Sequence, residues 1–118
     1  MDPWGLQGRS ALVIGGGGGL GAAMSRGLSA AGVRVAIMGR SESLDDVAAG
    51  LGGSTPVLPV KCDVTDRAAL DAGLDATSGE LGGIDILVAA QGIALPRPVL
   101  EQSDDEWDAT VETNLTSV

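Results

Sequence analysis

Residues 11–24 read ALVIGGGGGLGAAM. Ala11, Leu12, Val13 and Ile14 form an apolar run of strand length. Five glycines follow, Gly15 to Gly19, then Leu20 and Gly21. Leu20, Met24 and Leu28 recur at four-residue spacing with Ala23 and Ala31 beside them, which predicts a single apolar stripe on a helix. Gly32 stands where a C′ glycine closes a helix. A glycine turn between a strand and a helix lets backbone approach a ligand closely. The helix N-terminus then offers free N–H groups and a positive dipole end, which suit a phosphate. Two registers fit: Gly16, Gly18 and Gly21 as G-x-G-x-x-G, or Gly15, Gly19 and Gly21 as G-x-x-x-G-x-G. The strand–turn–helix setting argues against a plain linker. No Lys follows the glycines, so this is not a nucleoside-triphosphate loop.

The same alternation continues along the chain. Val33 to Met38 reads as a second strand. Leu44, Val47, Ala48 and Leu51 repeat as i, i+3, i+4, i+7, a second helix that Ser41 or Ser43 can cap. Val57 to Cys62 is a third strand, placed near an edge by Pro56 and Pro59. Asp66 can cap a third helix carrying Leu70 and Leu74, and Ile84 to Ala89 is a fourth strand. Gly92, Pro96 and Pro98 mark a loop. Ser103-Asp104-Asp105-Glu106 is a capping box opening a helix on which Trp107, Val111, Leu115 and Val118 share a face. Strands alternating with helices predict an α/β fold: a Rossmann-type parallel sheet with covering helices, strand order 3-2-1-4, its second half incomplete.

Composition excludes several chemistries. The 118 residues hold 7 basic and 16 acidic side chains, a net charge of −9. That balance argues against nucleic acid and against anionic membranes. There is no His, so there is no Ser-His-Asp or Cys-His catalysis and no imidazole metal site. One cysteine, Cys62, permits neither an internal disulfide nor a thiolate cluster. No run approaches the roughly 18 apolar residues of a membrane span, and Met1 to Ser10 does not read as a signal peptide. A soluble cytoplasmic protein without a metal site is the expectation.

The tip of the second strand bears on which ribose is read. It runs Met38-Gly39-Arg40-Ser41, with no carboxylate to accept from a 2′-hydroxyl. Arg40 can instead make charge-assisted hydrogen bonds to a 2′-phosphate, worth roughly 1.5–3 kcal/mol. Glu42 lies close enough to oppose that reading.

These residues together resemble the short-chain dehydrogenase/reductase family, over essentially the whole chain but only over the N-terminal half of such an enzyme. Gly15, Gly19 and Gly21 fall on the family's Thr-Gly-x-x-x-Gly-x-Gly, with Ile14 in place of its Thr. Asp63-Val64 resembles the family's adenine contact. Ala89-Ala90-Gln91-Gly92 stands where the family writes Asn-Asn-Ala-Gly, and only Gly92 is kept. Asn114, the one Asn in the chain, matches the Asn that holds a water in the family's proton relay. The resemblance implies a cofactor site at Gly15, Gly17, Gly18, Gly19, Leu20, Gly21, Arg40, Asp63, Val64, Ala90 and Gly92. It implies Asn114 as the catalytic candidate, NADP as cofactor with NAD as second choice, and a small carbonyl or alcohol substrate. It also implies a homo-oligomer paired through the helix that begins at Ser103.

The family's catalytic Ser and Tyr-x-x-x-Lys have no counterpart. The chain has no Tyr, and its one Lys, Lys61, lies in the third strand. Two function classes therefore stand. In one, residues 1–118 are the NAD(P)-binding portion of an oxidoreductase whose catalytic portion is absent. In the other, the chain is a non-catalytic dinucleotide-binding module or sensor. A methyltransferase-type sheet is a third reading, weakened because Leu12-Val13-Ile14 carries no acidic residue before the glycines.

Overall fold

The computed structural model describes residues 2–53 and 55–118. Four strands, β1 (Ser10–Ile14), β2 (Arg34–Gly39), β3 (Leu58–Lys61) and β4 (Ile86–Ala89), alternate with α1 (Gly19–Ala30), α2 (Leu44–Leu51) and α3 (Arg67–Leu81). After β4 come a 3₁₀ turn at Val99–Glu101, α4 (Asp104–Val111) and a π-helical turn at Glu112–Thr116. The sheet is parallel throughout, in the order β3-β2-β1-β4, as the sequence predicts.

β1 is buried along its whole length because both of its faces are covered. Its alternate residues feed two cores. Ala11 and Val13 pack with Val35, Ile37, Leu44, Ala48 and Leu51 on the α2 side. Leu12 and Ile14 pack with Ala36, Met38, Leu70 and Leu81 on the α3 side. The expected caps are in place. Asp66 accepts from the Ala69 N–H, Ser103 and Glu106 form the capping box, and Gly32 has φ +84. Ser43 is the N-cap of α2 but makes no side-chain cap bond; its N–H donates to Ser41 Oγ instead.

Three expectations need correction. The Leu20–Met24–Leu28 stripe is only partly the buried face of α1: Leu28 packs against the core, but Gly21 and Ser25 are the fully buried positions and Leu20 is 75% exposed. Helix and glycine turn approach so closely that only small residues fit between them. β4 begins at Ile86 rather than Ile84, because Asp85 is used for another purpose. The last helix is not one continuous amphipathic face. α4 ends at Val111, the π turn changes its phase, and Trp107, Leu115 and Val118 are all exposed.

Asp85 ties the start of β4 to the start of β1. Its Oδ2 accepts from the Ser10 N–H at 2.9 Å, and the Ser10 hydroxyl donates to the Gly83 carbonyl at 2.8 Å. The Ser10 N–H, then the Ser10 hydroxyl, whose one proton is shared between the Gly83 carbonyl and Asp85 Oδ2, hold the Asp85 carboxyl below the usual carboxylate range. A depressed folded-state value stabilises the fold above the ordinary carboxylate pKa, and that stability is lost as pH falls through the folded value. Asp85→Asn should therefore lower the Tm at pH 7, and the gap to wild type should close towards pH 3. Thermal melts at the two pH values check this.

Candidate functional site

The carboxyl ends of β1, β2 and β4 lie level with one another. Ile14 pairs with Met38 on one side and with Ala89 on the other. β1 is where the chain's crossovers diverge, towards β2 and β3 on one side and β4 on the other. A parallel sheet opens a crevice at such a point. A cleft of about 300 Å³ sits there, lined from β1 to α1 by Ile14, Gly15, Gly17 and Gly18. Met38, Gly39, Arg40, Ser41 and Leu44 line its β2 side, Cys62 and Val64 its β3 side, and Ala90, Gln91, Gly92, Ile93 and Thr113 its β4 side.

Backbone approach governs the turn. The Gly15 N–H donates to the Met38 carbonyl at 2.8 Å and the Ala90 N–H donates to the Ile14 carbonyl at 2.9 Å, so the end of β1 is held from both sides. Gly15 has φ +78, a left-handed conformation that favours glycine. A Cβ there would stand 2.6 Å from the Ala90 oxygen, one on Gly16 2.5 Å from Ile37, and one on Gly21 2.1 Å from the Gly15 oxygen. At Gly18 the nearest atom would be 3.6 Å away, and at Gly19 nothing lies within 4 Å. The fold itself thus needs Gly15, Gly16 and Gly21, which draw on both sequence registers. Gly18 and Gly19 leave open space in front of α1. No side chain caps α1 at its N-terminus, so its first N–H groups remain available.

Of the expected site residues, Gly15, Gly17, Gly18, Arg40, Val64, Ala90 and Gly92 line the cleft. Gly19, Leu20, Gly21, Asp63 and Asn114 do not. Leu20 points to solvent, and Gly21 packs against the turn. Asp63 Oδ1 accepts from the Thr65 hydroxyl at 2.7 Å and the Thr65 N–H at 3.0 Å. These bonds, hydroxyl first, hold the Asp63 carboxyl below its ordinary value, with the Arg40 charge adding to them. Glu42 pairs with Lys61 at 2.8 Å, which lowers the one pKa and raises the other.

Asn114 lies on the π turn and grips the backbone of Ile93. Its Oδ1 accepts from the Ile93 N–H at 2.8 Å and its Nδ2 donates to the Ile93 carbonyl at 2.9 Å. A Cβ on Gly92 would come within 3.4 Å of the same Oδ1. The carboxamide thus shapes the loop after β4 from behind.

Among the lining residues that sequence reasoning did not nominate are Leu44, Cys62, Gln91 and Thr113. Leu44 is the first apolar residue of α2, and its side chain reaches Gly17. Cys62 follows β3 and is buried, which pushes its thiol pKa up. Gln91 is a polar side chain two residues past an apolar strand.

A family model described as short chain dehydrogenase matches residues 9–118. The chain is 39% identical to a D-threitol dehydrogenase of Mycolicibacterium smegmatis, over 94% of this chain and 44% of that protein. It is 38% identical to a gluconate 5-dehydrogenase of Gluconobacter oxydans, over 99% of this chain and 46% of that protein. A crystal structure of a short chain dehydrogenase from Mycobacterium smegmatis superposes with a TM-score of 0.87 at 33% identity, covering 95% of this chain and 48% of the other. The chain spans about half the length of these relatives.

The steric pattern makes a prediction. Gly21→Ala should fail to fold, because its Cβ would meet backbone that cannot move aside. Gly19→Ala should melt within about 2 °C of wild type, since a ΔΔG of roughly 0.5 kcal/mol shifts a domain of this size by about that much. Circular-dichroism melts of the two variants check both statements.

Proposed function

The chain belongs to the short-chain dehydrogenase family, and we propose that it is the NAD(P)-binding portion of an oxidoreductase acting on a small carbonyl or alcohol. Proteins of this family take a nicotinamide dinucleotide, and the site fits one. The observation that carries the reading is the uncapped N-terminus of α1, facing open space that Gly18 and Gly19 leave at the sheet's switch point. When bound, the dinucleotide supplies the hydride or accepts it. The glycine turn and the first N–H groups of α1 hold the pyrophosphate. Val64 borders the adenine, with Asp63 fixed beside it by Thr65. Ala90 and Gly92 pass along the nicotinamide half. Asn114 sets the Ile93 backbone, and with it the loop that borders the substrate.

NADP is the proposed cofactor, ahead of NAD. Arg40 lies on the cleft lip, and the tip of β2 has no carboxylate. Glu42, the residue best placed to read a 2′-hydroxyl instead, is paired with Lys61. An exposed pair of this kind holds its partners only weakly, so the bare strand tip carries more of the argument. A homo-oligomer is proposed as well, because family members commonly pair through the helix that begins here at Ser103.

If residues 1–118 are the whole product, the lack of a Tyr favours a second reading as a non-catalytic binding module. The intact mass of the native product separates the two. A mass near 11.7 kDa favours the module, and roughly twice that favours the enzyme.

Two outcomes are expected of the chain itself. Arg40→Ala should weaken NADP binding about 10- to 100-fold and leave NAD binding nearly unchanged, read by calorimetric titration of both cofactors. Equal binding of NAD and NADP by wild type would overturn the role of Arg40. The 118-residue chain should also show no turnover with NADPH and a panel of ketones, because no group in it can play the family's Tyr.

A further inference from the structure

Arg40 lines the cleft and makes no ion pair among the described residues, although carboxylates stand near it. The charge of Asp63 reaches Arg40, but the hydrogen bonds of Asp63 run to Thr65. Glu42 follows Arg40 by two positions, and its side chain is 96% exposed. The loop itself does not hold that carboxylate: Ser41 and Ser43 bond to each other at 2.7 Å rather than to Glu42. What holds it comes from another strand. Lys61 Nζ donates to Glu42 Oε2 at 2.8 Å.

The sheet places Lys61 for that contact. It stands in register with Gly39, one residue before Arg40, and the next N–H, that of Cys62, donates to the Gly39 carbonyl at 3.0 Å. Val60 and Cys62 belong to the core on the α3 side, so strand alternation turns Lys61 to the α2 side, where residues 40–43 lead into α2. The ammonium there faces Glu42 and also feels Asp45 from the first turn of α2. A released Glu42 would act against a 2′-phosphate in either of two ways. Turned towards Arg40, it would occupy the guanidinium; left beside it, it would repel the phosphate. We propose that Lys61 is a positioning residue for cofactor selectivity, drawing Glu42 away from Arg40 and keeping the guanidinium open to a 2′-phosphate. The inference rests on the NADP reading given above. It moves part of that selectivity from the tip of β2 to the end of β3.

The test is calorimetric titration of NADP and NAD into the full chain as wild type, Lys61→Met, Glu42→Gln and the double variant. Lys61→Gln stands in for the methionine if added apolar surface on the edge strand causes association. Lys61→Met should weaken NADP binding about three- to fivefold, the scale of an exposed charge pair, and leave NAD binding within about twofold of wild type. Glu42→Gln should bind NADP at least as tightly as wild type. The double variant should recover wild-type NADP affinity, because no carboxylate is left for Lys61 to hold. A merely structural role would weaken both cofactors, and Glu42→Gln would not rescue it. A Lys61 that itself touches the phosphate would cost as much NADP affinity in the Glu42→Gln background as in wild type. Either of those results, or unchanged NADP affinity in Lys61→Met, overturns the role of Lys61 and leaves the dinucleotide reading standing. A wild-type chain that binds NAD as well as NADP overturns the roles of Lys61 and Arg40 together, and one that binds neither overturns the dinucleotide reading as well.

Discussion

The structure depends on one contact without clearance: the carbonyl oxygen of Gly15 against the backbone of Gly21. A methyl group at Gly21 would lie 2.1 Å from that oxygen, so the first turn of α1 rests directly on the end of β1. A Cβ on Gly15 would in turn lie 2.6 Å from the Ala90 oxygen. A single left-handed residue therefore fixes where α1 starts, how β1 and β4 diverge, and where the helix N-terminus points. The buried face of α1 follows from the same constraint. With no room for a large side chain beside the turn, Gly21 and Ser25 face the sheet, and the Ser25 hydroxyl returns its bond to the Gly21 carbonyl at 2.8 Å.

Charge in the cleft is arranged against the charge of the chain. The protein carries −9 overall, yet Arg40 is the one charged side chain lining the cleft among the described residues. Of the nearby carboxylates, Glu42 pairs with Lys61, while Asp63 accepts from Thr65 and keeps its charge within reach of Arg40. More distant acidic groups are screened beyond about 8 Å at physiological ionic strength. A phosphate entering the cleft thus meets a guanidinium and a helix N-terminus rather than the average potential of the molecule.

Much of this was legible in the sequence because strand and helix periods differ. The four strands, the parallel order, and the caps at Asp66 and Ser103 follow from spacing and residue type alone. The features that escaped depend on distances between segments far apart in the chain. The apolar spacing of Leu20, Met24 and Leu28 is real, yet clearance at Gly15 decides which face of α1 is buried. Asn114 stood out as the one Asn of the chain, but its partners are the N–H and carbonyl of Ile93, which no local pattern reveals.

The two walls of the cleft are built to different standards. On the β1–β2 side, Ile14 and Met38 are almost fully buried between two cores, and the glycine turn bonds into the sheet. On the β4 side, the loop from Ile93 is held by Asn114 and by the ion pair of Arg97 with Glu106. Both anchors sit on α4 and the π turn, and neither element contains a fully buried residue. The β1–β2 wall is thus held by packing between two apolar cores, and the β4 wall by hydrogen bonds from a side chain to backbone and by an ion pair.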